Sequence, residues 1–118
     1  MRKSVLVVED EYLIALDLQL MLESHGWQVL GPVPSVQDAL QLLDEERPTV
    51  ALLDVNLGGE LVTPVAEALA ARGVPFALAS AHHRPQDFGG AILADVPNAG
   101  KPTNERRVLA VLRELVGL

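Results

Sequence analysis

Apolar residues in this chain follow two rhythms. Val5 to Val8, Val29 to Val33, Val50 to Leu53 and Phe76 to Ala79 are short runs dominated by aliphatic residues, with a weaker candidate from Asp95 to Gly100. Runs of this kind predict strands covered on both faces. Between them the spacing lengthens. Residues 11 to 25 place Ile14, Leu18, Met21 and Leu22 at i, i+4, i+7 and i+8, and His25-Gly26 then supplies a stop, which predicts a helix. Ser35, with Asp38 three residues on, resembles a capping box for a second helix that ends before Pro48. Thr63-Pro64 reads as an N-cap and first-turn proline of a third, ending at Gly73. Thr103 or Asn104 can cap a last helix carrying Val108, Leu109, Leu112, Leu115 and Val116. From His82 to Asp95 the chain contains Pro85, Gly89 and Gly90, so a helix there should be short or late-starting.

Strands alternating with helices at this spacing predict an α/β fold, a doubly wound parallel sheet with helices on both faces and right-handed crossovers. Residues 1–118 read as one domain, without internal repeat or linker. Ligands in such sheets bind beyond the carboxyl ends of the strands.

Polar residues gather at those ends. Glu9 and Asp10 close the first strand, Asp54 the third and Ser80 the fourth, while Lys101 follows the fifth. Like charges brought together on one rim repel by roughly 4 kcal/mol per pair at 4 Å and an effective dielectric near 20. A cation offsets that cost. Three carboxylates make an all-oxygen site suited to a hard ion such as Mg²⁺, and beside it Asp54 can act as a carboxylate nucleophile toward a phosphoryl group. Lys101 would add a positive charge and Ser80 a hydroxyl donor to the phosphoryl oxygens.

Composition narrows the alternatives. The chain is 49% hydrophobic but only 3% aromatic, so its core must be built from Leu, Val, Ile and Ala. It has no cysteine, which excludes disulfides, thiolate ligands and thiol nucleophiles. A net charge of -7 opposes nucleic-acid binding, and Arg106, Arg107 and Arg113 are too few to reverse it. The apolar run after Arg2 and Lys3 stops at Glu9, too short for a signal peptide or a membrane span. A soluble, unexported, cytoplasmic protein is expected.

Taken together, "VVEDE", "LLDVNLGG", "LASA" and the "KP" pair at Lys101-Pro102 are similar to the receiver domain of two-component response regulators, along essentially the whole chain. The resemblance implies a five-stranded parallel sheet in the flavodoxin-like order 2-1-3-4-5. It also implies phosphorylation of Asp54 by a histidine kinase or histidine phosphotransferase, with slow self-dephosphorylation and no other enzyme activity. By the same resemblance, Asp10 and Asp54 bind Mg²⁺ directly, Glu9 through water, and the backbone carbonyl of Asn56 completes the protein ligands. Lys101-Pro102 would be a cis peptide. More narrowly, "LLDVNLGGE" and "PVAEALAARGVPFALAS" resemble single-domain receivers of alphaproteobacteria that accompany HWE-type kinases. Two places depart from that pattern: Ala81-His82-His83 stands where an aromatic or Gly-Tyr pair is common, and Asn98 occupies the position of the switch aromatic.

Several residues have plainer readings. Glu11 fits the first turn of the first helix, Gly58 and Gly59 a turn, His25 a helix-end cation, and Trp27 the edge of the core. His82 and His83 either gate water beside Asp54 or are solvated loop residues. The first helix has a second apolar line, Leu13, Leu16 and Leu20, which either packs on the last helix or forms a docking face for a kinase or a dimer mate.

Three functions compete. The leading expectation is a phosphoacceptor with no output domain of its own, acting on a downstream protein by contact or serving as a phosphate sink. A phosphatase with an aspartate nucleophile needs a second acid to protonate the leaving group, and Asn56 stands in that place. The third is a phosphorylation-independent interaction module with a vestigial site, which the absence of an aromatic at Asn98 favours.

Overall fold

The computed structural model describes residues 3–82 and 84–117; Arg2 and His83, named above, lie outside them. The elements run β1 (Ser4–Val8), α1 (Tyr12–Ser24), β2 (Gln28–Val33), α2 (Val36–Glu45), β3 (Val50–Leu53), a small hairpin of β4 (Asn56–Leu57) and β5 (Glu60–Leu61), α3 (Thr63–Ala71), β6 (Phe76–Leu78), the one-turn α4 (Gln86–Gly89) and α5 (Glu105–Val116). A 3₁₀ turn at Ala91–Leu93 follows α4, so the helix of the fourth crossover is short, as its Pro and Gly content requires.

Four strands pair in the order β2-β1-β3-β6, all parallel. The fifth position of the flavodoxin-like order is taken by the segment around Asn98, which joins β6 through a single parallel bridge to Leu78. Leu78 donates to the Pro97 carbonyl at 2.8 Å and accepts from the Ala99 amide at 2.8 Å. Pro97 has no amide hydrogen, which limits how far that ladder can extend.

Side-chain alternation divides the core in two. Val5 and Val7 of β1 face a cluster with Leu18 and Leu22 of α1 and Val108 and Leu112 of α5. Leu6 and Val8 face the opposite cluster, with Ala39 and Leu43 of α2 and Val65 and Leu69 of α3. A strand buried on both faces needs apolar residues at successive positions, which is why β1 and β3 read as unbroken runs. Trp27 belongs to the first cluster and is buried rather than placed at the rim. Between β1 and β2 the register slips, Leu6 facing Leu30 while Val8 faces Val33. Gly31 occupies the extra place with φ +88°, where a Cβ would meet the Val33 nitrogen at 2.7 Å.

The helix ends differ in how far local sequence sets them. Ser35 accepts the Asp38 amide at 3.1 Å, and Asn104, not Thr103, caps α5 by accepting the Arg107 amide at 3.1 Å. Thr63 does not cap α3. Val62 stands at that position, and the Thr63 hydroxyl donates to the Gly89 carbonyl at 2.6 Å, tying α4 to α3. Glu11 is the N-cap residue of α1 without a side-chain cap, and His25 Nε2 lies 3.3 Å from Glu105 Oε1 of α5. Of the second apolar line of α1, Leu13 and Leu20 are 73% and 57% exposed while Leu16 is half-buried, and Tyr12 beside them is 76% exposed, so the line is left largely open rather than covered by α5. Among the described residues no helix is long and apolar enough to cross a membrane.

Candidate phosphoryl and metal site

Each strand end contributes one part of the site. The chain leaves β1 at Glu9 and β3 at Asp54, whose amide is still held by the Val8 carbonyl at 2.9 Å. That bond keeps Asp54 in register with the sheet while its side chain reaches the rim. Glu9 and Asp54 are buried, at 3% and 8% exposure. One carboxylate oxygen from each of Glu9, Asp10 and Asp54 lies within 4.8 Å of the others. Such a set of hard oxygen donors fits a hard divalent cation.

Lys101 closes the other side. Its Nζ lies 3.0 Å from Asp54 Oδ2, 3.2 Å from Glu9 Oε1 and 3.6 Å from Glu11 Oε1. The peptide bond between Lys101 and Pro102 is cis, and so is that between Gly31 and Pro32. Burial alone would lower the Lys101 pKa, but hydrogen bonds to Asp54 and Glu9 and their charges outweigh it, and the ammonium is held at about 12. Glu9 moves upward, foremost because it is buried and further because of the Asp54 charge. The Glu11 amide, which donates to Glu9 Oε2 at 3.0 Å, and Lys101 partly oppose that rise. Glu11 therefore touches the site through both its backbone and its carboxylate, which a first-turn assignment had not included.

Asp10, Glu11, Asp54 and Lys101 line an open depression of about 370 Å³, together with Asn56, Gly58, Gly59, Ser80, Ala81 and His82. Asn56 Oδ1 accepts the Gly59 amide at 2.8 Å, which folds the hairpin back beside Asp54. Ser80 is 3% exposed, and its hydroxyl accepts the His82 amide at 3.1 Å. The His82 ring is neither buried nor fully solvated. It stacks on Phe88 of α4, with centroids 4.1 Å apart. Sequence reasoning had no signal for that contact, because Phe88 is brought to His82 only by the turn at Pro85. Asn98 lies behind Ser80 and bonds to its backbone on both sides.

The arrangement is electrostatically specific: three acids and one ammonium converge where three strands end, with a buried hydroxyl alongside. The chain matches the family described as "Response regulator receiver domain" over residues 5–113. The solution structure of SdrG from Sphingomonas melonis Fr1 superposes with a TM-score of 0.82 at 40% identity, covering 98% of this chain and 97% of that one. The response regulator PhyR from Brucella abortus gives a TM-score of 0.82 at 28% identity, over 99% of this chain and 49% of PhyR. The transcriptional regulatory protein PdtaR of Mycobacterium tuberculosis is 34% identical over 55 residues, 47% of this chain and 27% of PdtaR. The chain thus corresponds to only part of the length of PhyR and of PdtaR. With Glu9, Asp10, Asp54 and Lys101 arranged as the acid cluster and lysine of such domains, the chain belongs to the response regulator receiver domain family.

Proposed function

We propose that Asp54 is the phosphoacceptor, taking a phosphoryl group from a phosphohistidine of a histidine kinase or histidine phosphotransferase in a Mg²⁺-dependent step. The observation that carries this is the position of the Asp54 carboxylate, 3.0 Å from the Lys101 ammonium and lining the same open depression. An Asp54 oxygen forms a bond to phosphorus as the phosphorus–nitrogen bond of the donor breaks, and the departing imidazole keeps that electron pair. Asp10, Asp54, the Asn56 carbonyl and, less directly, Glu9 would hold the ion. Bound there, Mg²⁺ supplies positive charge against the phosphoryl oxygens. Lys101 pairs with one of those oxygens and Ser80 donates its hydroxyl proton to another.

The donor reaches the site over α1. Tyr12, Leu13 and Leu20 are exposed, and a groove lined by Tyr12, Leu16, Gln19 and Pro32 runs from that helix to Glu9 and Asp10. An apolar helix face continuous with the acid cluster suits a donor that must bring its phosphohistidine to Asp54. Residues 1–118 then act as one receiver unit that signals to a downstream protein by contact or drains phosphate from a shared donor.

Incubation with acetyl phosphate and Mg²⁺, followed by intact mass measurement, tests the chemistry. The wild type should gain one phosphoryl group and Asp54→Asn none. A gain in both proteins would move the acceptor elsewhere, and a gain in neither would favour the phosphorylation-independent module.

A further inference from the structure

Asn98 sits on the single bridge that joins the last extended segment to β6. Past Ala79, whose amide still bonds the Leu53 carbonyl at 2.8 Å, the main chain of the Ser80 loop leaves the sheet, yet Ser80 remains buried and its backbone groups need partners. One side-chain amide provides them. Asn98 Oδ1 accepts the Ser80 amide at 3.0 Å and the Gly100 amide at 2.9 Å. Asn98 Nδ2 donates to the Ser80 carbonyl at 3.1 Å and to the His82 carbonyl at 3.5 Å. The carboxamide thereby stands in for a missing peptide of the ladder. Only a group with both an acceptor and a donor can make this set of bonds.

We propose that Asn98 is a positioning residue of the phosphoryl site, fastening the loop that carries Ser80 to the loop that carries Lys101 through its bonds to Ser80 and Gly100. The inference rests on the receiver reading above and names what that reading leaves open, the group that sets the separation of the hydroxyl from the ammonium. Ser80 Oγ already accepts the His82 amide, so its own proton is available to an anionic oxygen. With the loop backbone held on both sides, that hydroxyl is delivered by side-chain rotation and not by movement of the loop. The acids lie on the other strand ends, so metal binding does not depend on Asn98.

The test separates the two halves of the site. Mg²⁺ affinity is measured by calorimetry, and affinity for beryllofluoride, a mimic of the phosphoryl group, is measured at saturating Mg²⁺, for wild type, Asn98→Ala and Asn98→Asp. Asn98→Asp keeps the size of the side chain and its two acceptor bonds while losing both donations. In each variant beryllofluoride should bind about tenfold more weakly, the scale of one misplaced charge-assisted hydrogen bond, with Mg²⁺ affinity within about twofold of wild type. Unchanged beryllofluoride affinity in both variants overturns the inference. So does a parallel loss of both affinities, or failure of both variants to fold, since the role would then be structural only. A wild type that binds Mg²⁺ but no beryllofluoride overturns the receiver reading itself, and this inference with it.

Discussion

The Lys101 ammonium is shared between Asp54 and Glu9, 3.0 Å from the first and 3.2 Å from the second. One positive charge therefore partly balances two buried negative ones, and the net charge of the site stays negative with Asp10 added. This negative excess favours a cation at the site and opposes the anionic oxygens of a phosphoryl group unless a cation balances it.

Divalent ions should stabilise the fold. At a hundred times its dissociation constant, Mg²⁺ bound to the native state alone raises the unfolding free energy by about 2.7 kcal/mol. Urea denaturation with and without the ion should show this gain in the wild type, and Asp10→Asn should lose most of it. An equal gain in the variant would place the ion elsewhere.

Without divalent ions, stability should respond to pH through Glu9 and Lys101. The folded pKa of Glu9 lies above its ordinary 4.5, so the folded state binds this proton more tightly than the unfolded chain. Its penalty is full above the folded pKa and is relieved as pH falls toward 4.5. Relative to Glu9→Gln, the wild type should gain stability as pH falls through the raised folded pKa of Glu9 toward 4.5. Lys101 acts at the other end: its contribution is complete below 10.5 and is lost as pH rises through about 12. Chemical denaturation of wild type and Lys101→Met across the alkaline range should show the two curves converging.

Leu20→Glu should leave folding intact, because Leu20 is 57% exposed, with a change within about 0.5 kcal/mol. Transfer from a histidine kinase should slow by about fivefold or more, while labelling by acetyl phosphate should stay at the wild-type rate. Equal rates from both donors in the variant and the wild type would remove the docking role of α1.

Gly89 is fixed by packing. A Cβ there would collide with Leu93 and crowd the Thr63 hydroxyl, which holds the Gly89 carbonyl. Gly89→Ala should cost about 1–3 kcal/mol, read as a lower denaturation midpoint at an unchanged slope.

What the sequence made legible depended on how local the physics was. Val5 to Val8 and Val50 to Leu53 declared themselves as strands because burial on both faces leaves no polar position. Ser35 and Asn104 lay within reach of their own helices, so local pattern found them, with Thr103 left as an alternative. Thr63 carries the same cap signature, yet its hydroxyl bonds to Gly89, 26 residues away, which no local pattern reveals. Gly58 and Gly59 read as a turn, and the two-residue strands flanking them escaped notice because so short a pair has no periodicity. In α1 the spacing distinguished two apolar lines but not which one α5 would cover. The strand-end positions of Glu9, Asp10, Asp54 and Lys101 were readable because topology alone brings such positions to one rim. The amide bonds of Asn98 were not, since they depend on where the Ser80 loop turns after leaving the sheet.

The single rung between Leu78 and Asn98 has a mechanical meaning. Four strands make a stiff slab, while the outermost margin, with Lys101 just beyond it, is anchored by one bridge and a few side-chain bonds. Amide exchange should therefore be fastest among sheet positions at Ala99 and slowest at Val7 and Leu52. The fold keeps its most compliant seam next to the lysine and its most rigid strands beneath the acids.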